Sequence, residues 1–107
     1  MPTQKTAITK ANNFIKEIKS LGVNLRRAIL FGSFADNRQH EWSDIDLLLV
    51  ADEFTGFGFE DRKLFSRINI KKEYIDIETK TYPTAYFKKG DPFIDHIKHS
   101  GIELKMI

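Results

Sequence analysis

The segment from Arg26 to Val50, RRAILFGSFADNRQHEWSDIDLLLV, leaves this chain few ways to fold. It reads as one apolar strand, a Gly-Ser turn, a polar connection, and a second strand entered through two aspartates two residues apart. Short apolar runs bounded by turn signals are how buried strands look in sequence. In the second run Ile45, Leu47 and Leu49 take one face, while Asp44, Asp46, Leu48 and Val50 take the other. Both faces turn apolar beyond the acids, so this strand belongs in the middle of a sheet covered on both sides. Its acidic beginning must lie at an open edge, because burying two unpaired carboxylates is very costly.

The flanking segments supply the cover. From about Thr3 to Leu21, the residues Ile8, Ala11, Phe14, Ile15, Ile18 and Leu21 recur at helical spacing. Thr3 or Thr6 is placed to cap that helix and Gly22 to end it. Residues 51–60 form a loop with two Gly and three Phe, either a mobile flap or rings laid over the core. The pattern then predicts a helix over Asp61–Lys72, with Asp61 in its first turn and Leu64, Phe65 and Ile68 on one side. A third strand follows over Tyr74–Tyr82, stopped by Pro83. Asp91 and Pro92 open a last helix that Gly101 closes, and Ile102–Met106 suits a short final strand. The expected fold is α/β (α+β), a small mixed sheet flanked by helices. With 107 residues it forms one domain spanning 1–107.

Asp44 and Asp46 point the same way, with Cα atoms roughly 6.5–7 Å apart at the usual strand rise. Such a pair suits a hard cation, and magnesium favours one or two carboxylates together with phosphate oxygens and water. Gly32-Ser33 adds a turn whose backbone N–H groups can face an anion, with Ser33 free to cap a following helical turn. A third acid, Asp76, sits near the start of the third strand, with Glu78 on the same face as its competitor. For turn and acid pair to meet, the first two strands must run antiparallel. Joining the third through the Asp61–Lys72 helix makes it parallel to the second.

Gly32-Ser33, nine intervening residues, then Ser43-Asp44-Ile45-Asp46-Leu47 resembles the signature of the DNA polymerase β-like nucleotidyltransferase superfamily. More narrowly, the chain is similar to the minimal nucleotidyltransferase (MNT) domain family, of the MntA-like antitoxin type. The resemblance implies a polymerase β-like palm core. In it Gly32 and Ser33 hold a nucleotide triphosphate, Asp44 and Asp46 bind two magnesium ions, and Asp76 completes the carboxylate triad. Relatives commonly carry an Arg-Gly pattern after the Gly-Ser; here Phe34-Ala35-Asp36-Asn37-Arg38 follows. Asp36 thus brings negative charge to that place, and Arg38 is the nearby cation for the nucleotide. The implied reaction is Mg²⁺-dependent transfer of AMP from ATP to a hydroxyl. The implied partner is a HEPN-type ribonuclease toxin, some of which are modified on a tyrosine by such domains. The alternatives are a catalytically weak module that neutralises a partner by docking, and a metal-dependent phosphodiesterase.

Composition narrows the remaining choices. Seventeen Lys and Arg against fifteen Asp and Glu give a formal charge of only +2, which does not indicate nucleic-acid binding. Without cysteine there are no disulfides and no thiolate metal sites. No apolar run approaches membrane-spanning length and the N-terminus lacks a signal-peptide core, so the expected setting is the cytoplasm. Trp42 is expected to pack just ahead of the acids rather than to stack on a base, and His40, His96 and His99 to lie on the surface.

Overall fold

The computed structural model describes residues 2–105. Its first helix, α1 (Gln4–Ser20), begins with a reciprocal cap: Thr6 N donates to Thr3 Oγ1 at 3.1 Å and Thr3 N to Thr6 Oγ1 at 3.0 Å. Ala7, Ala11, Phe14, Ile15 and Ile18 are its buried stripe. Gly22, at φ +90°, turns the chain into the sheet.

Strands β1 (Leu25–Phe31), β2 (Ile45–Ala51), β3 (Ile77–Pro83) and β4 (Ile102–Glu103) lie in the order β3-β2-β1-β4. β1 runs antiparallel to β2, β2 parallel to β3, and β4 antiparallel to β1. This is the arrangement that convergence of turn and acids required. β2 is covered on both faces, and its alternation sorts the core into two layers. Ile45, Leu47, Leu49 and Ala51 pack with α1, Phe54 and Phe65 on one side. Leu48 and Val50 pack with Phe87, Ile94 and Ile97 on the other. The second layer comes from α4 (Thr84–Lys89) and α5 (Pro92–Ser100). α5 opens as its sequence predicts, with Asp91 Oδ1 accepting from Ile94 N at 2.8 Å and Pro92 at the first position.

Four elements depart from expectation. The Asp61–Lys72 helix is broken into α2 (Gly58–Arg62), α3 (Ser66–Asn69) and a 3₁₀ turn over Lys72–Tyr74. At Phe65 the backbone leaves the helical region (φ −137°) while its ring goes between Phe14 and Phe54, 6.0 Å from each. Asn69 Nδ2 then bonds Tyr74 O at 3.1 Å and Ile77 O at 3.3 Å, turning the chain toward β3. Tertiary contacts override the local helical pattern here. Consequently β3 begins at Ile77 rather than Tyr74, leaving Ile75 72% exposed. Helix α4 has no counterpart among the predicted elements, and β4 covers only the start of the predicted last strand, whose Met106 lies outside the described residues. No helix among those residues is long and apolar enough to cross a membrane.

Gly101 is where α5 meets the sheet. A Cβ there would stand 2.6 Å from Ile29 Cγ2, 2.7 Å from Ile97 O and 2.9 Å from Leu30 O. Two of those neighbours are backbone atoms with no room to yield. Gly101→Ala should therefore lower stability by about 1–3 kcal/mol, the usual penalty of overpacking. A downward shift of the urea midpoint with an unchanged slope is the check.

Candidate active site

The site is assembled at the sheet edge where β1 ends and β2 begins. Phe31 and Asp46 are partners in the β1–β2 register, so Gly32, the next residue, lies directly beside the Asp46 carboxylate. A Cβ on Gly32 would overlap Asp46 Oδ2 and lie 3.2 Å from its Cγ, and the φ of +76° also favours glycine. Turn and acid are thus one packed unit.

After Gly32 the chain forms hydrogen-bonded turns, with Asp36 N to Gly32 O at 3.1 Å and Arg38 N to Ser33 O at 2.8 Å. No helix follows, so Ser33 caps none. Asn37 takes the left-handed conformation (φ 57°). Gln4 Nε2 anchors the turn to α1 by bonding Phe34 O at 2.9 Å and Ala35 O at 3.2 Å. Arg38 is exposed and pairs with Asp36 at 3.1 Å, so the two charges singled out after the turn partly cancel each other.

Asp44 is exposed just ahead of β2, and Asp46 is half-buried within it. Across the parallel β2–β3 register, Asp46 faces Glu78. Burial, then the charge of Glu78, then that of Asp44 push the Asp46 carboxyl above the usual carboxylate range. Asp76 sits one residue before β3. Its carbonyl accepts from Ile45 N at 2.9 Å, and its carboxylate is held by Lys10 Nζ at 2.9 and 3.2 Å. It lines a cavity of about 180 Å³ with Lys10, Phe34, Glu41 and Ser43. The structure therefore brings Asp44, Asp46 and Glu78 into mutual influence and ties Asp76 to α1.

Among the described residues, no three His, Cys, Asp or Glu side chains converge closely enough to hold one metal ion. The donors are nevertheless of the right kind for a hard cation: oxygen ligands, one of them desolvated and crowded by like charge. A cation there would relieve the repulsion that raises Asp46.

Two residues carry no mark of the site in the sequence. Lys10 falls on an ordinary helix, and only the fold reveals its bond to Asp76. Lys80 shares the β3 face of Glu78, has its Nζ 5.3 Å from the centroid of Phe93, and makes no salt bridge among the described residues. Phe93 in turn meets Phe31 edge-on at 5.8 Å. Trp42 corrects an expectation: it does not pack but is 81% exposed. The turn carrying it is fixed by His40 N to Ser43 Oγ at 2.9 Å, Ser43 N to His40 O at 3.0 Å and Trp42 N to His40 Nδ1 at 3.2 Å.

A mixed sheet flanked by helices, with a glycine turn packed against an acidic strand edge, defines the class of α/β domain to which this chain belongs. The sequence profile of the nucleotidyltransferase domain matches residues 11–102, and the chain belongs to that family. Its fold is similar to the crystal structure of a Sulfolobus solfataricus protein proposed to be a nucleotidyltransferase. That likeness has a TM-score of 0.65 at 23% identity, over 94% of this chain and 80% of the other. No curated protein matches the chain.

Proposed function

We propose that this domain transfers AMP from ATP to a hydroxyl on a protein partner. The observation that carries this reading is the fit of Gly32 against Asp46, which sets a backbone turn beside the carboxylates. In the reaction the acceptor oxygen bonds to the α-phosphorus, the α–β anhydride bond breaks, and pyrophosphate leaves as the hydroxyl gives up its proton. Magnesium, when bound, supplies positive charge at the attacking and leaving oxygens. The Gly32-Ser33 turn takes the triphosphate, with Arg38 nearby, and Asp44 and Asp46 are the metal-holding carboxylates. Asp76 completes the triad on the family resemblance. Glu78 is the competing third acid, favoured by its place opposite Asp46. The antitoxin role, with a HEPN-type ribonuclease as partner in the cytoplasm, is part of the same proposal.

Incubation with α-labelled ATP, Mg²⁺ and the co-purifying partner should leave label on protein. Free AMP as the sole product would instead mean hydrolysis. Protection of the partner that survives Asp44→Ala with Asp46→Ala would mean docking without chemistry. Glu78→Gln and Asp76→Asn then separate the third-acid readings: whichever is the ligand should lower kcat by about 10²-fold or more, the other by much less.

A further inference from the structure

Between Phe57 and Ile75 the surface carries apolar side chains that no part of the fold covers. Phe57, Phe59, Ile70 and Ile75 are 69–74% exposed. Scattered apolar residues on a surface are ordinary, but a contiguous set usually marks an interaction site. Phe59, Ile70 and Ile75 wall one open groove of about 380 Å³, with Arg62 and Lys63 at its rim. The groove is lined from both short helices, by Phe59 and Arg62 on α2 and by Ser66 and Asn69 on α3, and from Ile75 beyond them. Lys63 Nζ sits 4.8 Å above the Phe59 ring, and the two bonds from Asn69 hold the 3₁₀ turn that ends at Ile75.

The stretch that carries it is mainly basic. Arg62, Lys63, Arg67, Lys71 and Lys72 stand against the exposed acids Glu60 and Glu73, and of these charges Arg62 and Lys63 line the groove itself. Lys63 is paired with Glu60 and Lys71 with Glu17, while Arg62, Arg67 and Lys72 make no salt bridge among the described residues. Asp61 brings no negative charge to this surface, because it is buried.

We propose that this groove seats an amphipathic helix of a partner protein, one with acidic residues flanking an apolar ridge. Helices dock in such grooves through anchors at i, i+3, i+4 and i+7, and complementary charge fixes orientation. A second copy of the chain is the poorer occupant, since a two-fold contact would set the same cations against each other. A lipid surface is poorer too, because here the apolar side chains wall a hollow rather than crown a ridge. The inference does not rest on the transfer reading, and its test measures no catalysis.

The probe is a synthetic helical peptide with a Leu ridge flanked by Glu, titrated onto the full chain by fluorescence anisotropy. Binding with Kd on the order of 10–100 μM is expected, weakening with salt. A matched peptide flanked by Lys should bind at least about tenfold more weakly. Ile70→Ser with Ile75→Ser should lose about tenfold as well, with an unchanged melting temperature, since both side chains are exposed. The proposal is overturned by no binding of the Glu peptide, or by equal binding of the two peptides. Retention on phosphatidylglycerol vesicles without peptide binding overturns it in favour of a lipid surface. Dimerisation abolished by the double variant overturns it in favour of a second copy.

Discussion

Asp46→Asn should abolish nucleotidyl transfer and at the same time raise the melting temperature. The two effects have one origin. Asp46 is half-buried, faces Glu78 across the β2–β3 register, and feels Asp44 two residues away. Its folded-state pKa is therefore above the unfolded value. The sign follows: the folded state binds more protons, so stability falls as pH rises from the ordinary Asp range through that raised pKa, and stays reduced at neutral pH. An amide of the same shape removes the repulsion and leaves the close fit with Gly32 unchanged. Activity should move the opposite way. On the proposed function Asp46 holds a metal ion, and charge stabilisation by such an ion is worth several kcal/mol, so its loss should reduce transfer by about 10³-fold or more. A readout free of catalysis accompanies this: added Mg²⁺ should raise the melting temperature of the native chain and leave that of the variant unmoved. A variant that transfers AMP normally would remove Asp46 from the site. One that melts lower without Mg²⁺ would show that crowding does not dominate its energetics.

Much of this edge is legible in the amino-acid sequence. The alternation of Asp44 to Val50 places β2 at the centre of the sheet, and the requirement that Gly32 and the acids meet gives both strand directions. The failures have a common physical cause. Helical spacing over Asp61–Lys72 is a real local pattern, but the places taken by Phe65 and by the Asn69 side chain are set by residues far along the chain. Ile75 alternates like a strand residue, yet the 3₁₀ turn delays β3 until Ile77. Trp42 illustrates the same limit from the other side. An aromatic next to a buried strand favours packing on composition alone, whereas the His40–Ser43 bonds hold its turn outside the core. Lys10 and Asp76 are 66 residues apart, and no spacing rule links them. Site chemistry confined to one segment can be read from its residues; site chemistry arising between distant segments cannot.

Asp61 is where that difference has the largest energetic consequence. From sequence it is a first-turn acid of a helix; in the structure it is 1% exposed. Its Oδ1 accepts from Thr55 N at 2.7 Å and Thr55 Oγ1 at 3.0 Å, and its Oδ2 from Gly56 N at 2.9 Å and Thr81 Oγ1 at 2.7 Å. Burial pushes the carboxyl up, but the donors from Thr55, Thr81 and Gly56 together outweigh it and hold the pKa below the usual range. One carboxylate thereby closes the 51–60 loop and fastens it to β3, the strand that carries Glu78. Asp61→Ala strands two backbone donors and a buried Thr81 hydroxyl, so the expected loss is about 3–5 kcal/mol. For a domain of this size that corresponds to a melting temperature lower by about 15–30 °C. Asp61→Asn keeps one acceptor oxygen and should lose roughly half as much. The pH dependence is opposite in sign to that of Asp46. With the folded pKa lowered, the contribution of Asp61 is complete above the unfolded Asp value and disappears as pH falls through the folded one. The native chain should thus lose stability in acid more steeply than Asp61→Asn. Amide exchange locates the effect, since protection at Thr55 and Gly56 should fall before that of β2. Equal loss across the sheet would mean that Asp61 holds the whole fold rather than this loop.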